Sequence, residues 1–112
     1  MATLTQQELA TRILHKLRVL DPRETADADD AARALEALQE AHFALRGDGL
    51  VRWTLNDIPP EVQAAYVMLA AFLCADDYAS PVDVSQFWMR GLRMVQTFVH
   101  VPLPDPGYVE NF

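Results

Sequence analysis

Apolar positions along the chain fall into four blocks with helical spacing. The most apolar is residues 60–79, PEVQAAYVMLAAFLCADDYA. From Val62 to Ala75 its polar groups are Gln63, the Tyr66 hydroxyl and the Cys74 thiol. Val62, Tyr66, Leu69 and Leu73 recur at three- and four-residue steps, and Ala65, Phe72 and Cys74 make a second face apolar. A helix apolar nearly all round needs neighbours on several sides. This stretch is therefore expected to be the buried central helix, opened by Pro60 at its first position and ended by Ser80-Pro81.

The other blocks supply its cover. Thr5-Gln-Gln-Glu8 reads as a capping box, starting a first helix that runs to about Arg18. Leu9, Ile13, Leu14 and Leu17 form its stripe. After a connector at residues 20–26, Asp27, Asp29 and Asp30 crowd the start of a second helix, where negative charge suits the dipole. Ala31, Ala34, Leu35, Leu38, Ala41, His42 and Leu45 are its inward positions, and Gly47-Asp48-Gly49 stops it, either glycine fitting a left-handed cap. Residues 50–54, LVRWT, read as a short extended arm with no partner strand. A fourth helix is expected from a cap at Asp83 to about Val99, with Val84, Trp88, Leu92, Val95 and Val99 on one stripe and Phe87, Gly91, Met94 and Phe98 on another. The last twelve residues, VPLPDPGYVENF, hold three prolines and cannot be helix. The predicted fold is all-α: a four-helix bundle-like domain over residues 1–100, with the arm, and an extended tail over residues 101–112.

Length and composition narrow the picture. A chain of 112 residues builds one core, and 51% hydrophobic content makes it globular. The central block is too short and alanine-rich for a membrane span. MATLTQQELA has no basic region followed by an apolar run, so no signal peptide is expected. A formal net charge of −7 argues against nucleic-acid binding through a basic face. Cys74 is single, and no HxxxH, CxxC or HExxH occurs, so neither a disulfide framework nor a metal or cofactor site is expected.

Candidate chemistry is sparse. His42, on the inward stripe, reads as a core-edge histidine with a hydrogen-bond partner. Asp76 and Asp77 at a helix end suit a surface or inter-subunit role better than catalysis. The acidic run from Asp21 to Asp30 lacks the spaced ligands and glycine of a calcium loop. No catalytic residue is assigned, and no enzyme activity is expected. Two features exceed what a self-sufficient monomer needs. The fourth helix is apolar on two sides, and the tail carries Val101, Leu103, Tyr108, Val109 and Phe112. Both point to a partner surface.

The order of these features resembles a known family. Lys16 to Leu20 end the first helix, and Asp27 to Gly49 give an acidic start and a second helix closing on R-G-D-G. Leu50 to Thr54 form an arm with an aromatic, and Ile58 to Ala79 an I-P-P step into an alanine-rich helix. Over residues 4–80 this is similar to the tail accessory factors of short-tailed phages. These are head-to-tail adaptor proteins, also described as packaged-DNA stabilisation proteins. The resemblance implies a non-enzymatic virion protein at the head–tail junction, made in the host cytoplasm. It would form a ring, commonly a dodecamer, under the portal protein, extend or seal the DNA channel, and carry the next tail or hub proteins. DNA would pass without specific binding. Carried onto this chain, the portal-binding segment would hold Val101, Leu103, Tyr108, Val109 and Phe112. Trp53, Phe87, Trp88, Arg90 and Arg93 are candidates for contacts between subunits. The competing reading is a small cytoplasmic helical interaction or regulatory module, antitoxin-like, that forms a dimer and ignores a portal.

Overall fold

The computed structural model describes residues 5–21, 23, 24 and 26–99. Among them are four helices and no strand: α1 (Gln6–Lys16), α2 (Ala28–Gly47), α3 (Gln63–Cys74) and α4 (Phe87–Val99). Short 3-10 turns at Leu55–Asp57, Pro60–Val62 and Ala75–Tyr78 complete the order. The fold is all-α, as the periodicity implies.

α3 is the hub, because α1, α2 and α4 all pack against it. Ala65, Tyr66, Leu69, Ala70, Ala71 and Cys74 are fully buried, which accounts for its lack of a polar face. The inward stripes follow the expected positions on α1, where Leu9, Ile13 and Leu14, with Leu17 at its C-cap, have no exposed surface. On α2, Ala34, Leu38, Ala41 and Leu45 are buried in the same core.

The ends differ from expectation in instructive ways. The Thr5 capping box is present, with Glu8 N–H donating to Oγ1 at 3.1 Å and Thr5 N–H to Glu8 Oε1 at 2.8 Å. Of the two candidate glycines after α2, Gly49 takes the left-handed conformation, with φ +74°. Arg18 and Ala79 take it too, at φ 58° and 50°, after α1 and after the turn that follows α3. The amides of Val19 and Ser80 then close back on the carbonyls of Leu14 and Ala75. The Ser80 hydroxyl donates to the Leu17 carbonyl at 2.7 Å, so each of these two ends helps hold the other. The long helix expected over residues 60–79 is α-helical only from Gln63 to Cys74, tightening to 3-10 geometry at both ends. Asp83 does not cap α4. Its carboxylate accepts from the Ser85 amide at 3.0 Å, closing a turn, and α4 starts four residues later at Phe87. Val84 therefore lies outside the helix. Phe72, expected on an apolar face of the central helix, is 39% exposed.

Gly91 sets how closely α4 approaches α3. A methyl group there would lie 2.8 Å from Leu69 Cγ and 3.0 Å from the Ala65 carbonyl oxygen. A backbone oxygen cannot swing aside, so the helices would have to part. Overpacking costs about 1–3 kcal/mol, against about 1 kcal/mol gained by replacing glycine with alanine inside a helix. Gly91→Ala is expected to destabilise the fold by about 1 kcal/mol in urea unfolding, and a gain in stability would contradict the close approach.

Candidate interaction surface

The described residues hold no set of three or more His, Cys, Asp and Glu side chains able to hold a metal ion. No described helix is long and apolar enough to cross a membrane. The polar chemistry gathers instead in a buried node, an acidic surface and a basic surface.

The node centres on Tyr66 of α3. Its hydroxyl lies 2.8 Å from His42 Nδ1 on α2 and accepts the indole N–H of Trp53 at 2.9 Å. An indole only donates, so the hydroxyl keeps its own proton for His42 Nδ1, which assigns the imidazole proton to Nε2. Burial pushes the Tyr66 hydroxyl up to about 12 and, with Arg46 nearby, pulls His42 below its ordinary value. Protonation of Nδ1 would leave two donors facing one another. The node is thus a structural bolt joining α2, α3 and the 50–54 arm, and His42 has the partner its position called for. Trp53, a candidate subunit contact, turns its polar edge inward and also meets Phe98 edge-on at 5.9 Å. The Cys74 thiol is buried and pushed up to about 11, which makes it a poor nucleophile.

The acidic surface lies on α2 and the turn after α3. Arg33 binds Asp77 at 2.8 Å and Glu36 at 3.3 Å, with Glu40 at 3.7 Å. The Tyr78 hydroxyl donates to the Asp30 carbonyl at 2.6 Å. These bonds gather Asp77, Glu36 and Glu40 around Arg33 and tie the turn at Tyr78 to Asp30 near the start of α2, with Asp76 exposed on that turn and Asp29 exposed on that helix. Asp77 thus sits at the surface with an intramolecular partner.

The basic surface was not visible in the net charge. Arg12, Lys16, Arg18, Arg90 and Arg93, five of the nine basic side chains, line three adjoining clefts between α1, α3, α4 and the 79–86 connector. Lys16 is common to all three. The only carboxylates among their linings are Glu61 and Asp83. Helical spacing on α1 and α4 separately could have suggested it, but the convergence depends on α3 placing the two helices side by side.

Apolar groups are exposed near it. Met89 is 56% exposed on α4, with Met94 and Phe98 next, and Phe72 meets Trp88 at 5.8 Å between ring centres. Of the candidate contacts, Trp88 is half-buried and Arg90 and Arg93 are exposed. Phe87 is a correction: it is buried in the core, with Lys16 Nζ over its ring at 5.3 Å, so it faces its own chain. Val101, Leu103, Tyr108, Val109 and Phe112 lie outside the described residues.

Tyr66→Phe would strand the Trp53 N–H and His42 Nδ1. Its expected cost is about 2–4 kcal/mol in urea unfolding. The His42 contribution has a defined pH sense. Its folded pKa is below the unfolded value of about 6.5, so between the two the unfolded chain takes the proton. Stability should be full above about pH 6.5 and fall as the pH drops through that window. His42→Asn, which keeps an acceptor without titrating, should flatten that slope.

No protein-family model matches this chain, and no curated protein or solved structure matches it.

Proposed function

We propose that this chain is a head-to-tail adaptor subunit of a phage virion. It works by assembling into a ring beneath a portal, where it extends or seals the DNA channel and offers a platform to tail proteins. The observation that carries this reading is the division of charge between two different surfaces of one small domain. The basic clefts between α1 and α4 are complementary to the acidic surface of α2 and the turn after α3. A surface that fits a different surface of an identical neighbour makes a heterologous contact, and such contacts close into a ring where the rotation between neighbours permits it. A two-fold dimer can also pair a basic surface with an acidic one, twice over, so the oligomeric state is what separates a ring from a dimer. The exposed Met89 and Phe72, with the half-buried Trp88, supply apolar area beside the basic rim, with Arg90 and Arg93 between. The resemblance over residues 4–80 names the type of ring and its portal partner.

Assembly of this kind asks for no turnover chemistry. The free energy comes from apolar burial, while the charges set register and partner choice. With an excess of seven negative charges per subunit, an assembled ring remains acidic and repels DNA passing through it.

The test is molar mass by light scattering on a sizing column, for the purified protein alone and after mixing with the portal protein encoded beside it. The expected result is a multi-subunit collar that co-elutes with the portal. A stable dimer that ignores the portal would contradict the adaptor reading and favour a regulatory module.

A further inference from the structure

We propose that the groove between α4 and α3 is the docking site of the chain's own residues 101–112 while the protein is free. The groove is an open cleft of about 750 Å3, lined by Met68, Met94 and Phe98 along its apolar wall and by Lys16, Arg90 and Arg93 with one carboxylate, Glu61, on its rim. That volume lies within the range of ligand-binding clefts, about 300–1,000 Å3. Among the described residues no carboxylate lies within 4 Å of any of the three cations, since the ion pairs found are all those of Arg33. The groove therefore offers an apolar floor whose rim carries three cations against one carboxylate, in a protein of net negative charge.

Residues 101–112 have the complementary chemistry. They carry Val101, Leu103, Tyr108, Val109 and Phe112, the acids Asp105 and Glu110, and no basic residue. Three prolines remove backbone donors that a groove would otherwise have to satisfy, and Pro106-Gly107 suits a chain reversal. The connection favours the same molecule. α4 ends at Val99, next to Phe98 at one end of the groove, and the path back to Arg90 is eight residues of helix, about 12 Å. Residues 100–112 hold up to about 43 Å of extended chain, enough to turn back at the end of α4 and cover that distance. A short tether raises the effective concentration of the segment to the millimolar range, far above that of a second copy at micromolar protein.

This docking does not depend on the adaptor reading, but its consequence does. A tail seated on Arg90 and Arg93 covers part of the basic surface that an acidic neighbour would use. Capture of the tail by a portal would uncover it, so that assembly follows docking and free subunits stay apart.

The test uses the full chain with 13C-labelled methionine methyl groups, observed by NMR at a concentration where light scattering finds a monomer. Met68 and Met94 report on the groove, and Met89, outside it, is the control. The expected result is a set of through-space cross-peaks from the Tyr108 and Phe112 rings to the Met68 and Met94 methyls. These should be unchanged on dilution and lost in the Tyr108→Ser/Phe112→Ser variant while Met89 stays in place. Arg90→Glu/Arg93→Glu should lose them as well, and adding Asp105→Lys/Glu110→Lys should restore them. Absence of the cross-peaks in the unaltered chain would overturn the proposal, and so would cross-peaks that fade on dilution, which would place another copy's tail in the groove. A ring that forms without any such cross-peaks would leave the adaptor reading standing and this one refuted.

Discussion

The fold depends on one helix that is apolar on every side and buried on most of them. α3 offers no stripe of charge to solvent, so α1, α2 and α4 must each cover part of it. What keeps the assembly from being a loose apolar cluster is the Tyr66 hydroxyl. It carries the polar load inside the core by bonding His42 on α2 and Trp53 on the arm. Buried polar groups are costly unless paired, so this pairing fixes which residue of α2 faces which residue of α3. Gly91 does the equivalent for α4, by allowing the helix axes close enough for Leu69 to fill the gap.

From that arrangement the surface follows. Once α1 and α4 both lie against α3, their basic residues are brought together although they are more than seventy positions apart in sequence. Arg33 does the reverse on the far end of α2, gathering carboxylates from two elements into one surface. Net charge describes neither. A chain of formal charge −7 still presents a region where cations outnumber acids, which matters more for partner choice than the total.

How much of this could be read from residues alone depends on range. The core stripes of α1 and α2 were legible because a 3.6-residue period reports directly on which side chains face inward. The Thr5–Glu8 box was legible because both partners lie within one turn. The start of α4 was not: Asp83 closes a local Asx turn with Ser85, and a capping aspartate and a turn aspartate look alike in sequence. Left-handed Arg18 and Ala79 were missed because neither residue type advertises that conformation. The partnership of His42 with Tyr66, the burial of Phe87 and the basic clefts all depend on contacts between separate elements, which periodicity does not encode.

The claim that the two charged surfaces of neighbouring chains meet is tested most directly by exchanging their charges. One variant reverses the basic surface away from the α4 groove, Arg12→Glu/Arg18→Glu, and a second reverses the acidic surface, Asp29→Lys/Asp76→Lys. Under conditions where the unaltered chain assembles on a portal, each variant alone should fail to form a collar. An equimolar mixture should recover it, with the two alternating around the ring. Collars formed as readily by either variant alone as by the unaltered chain would contradict the account.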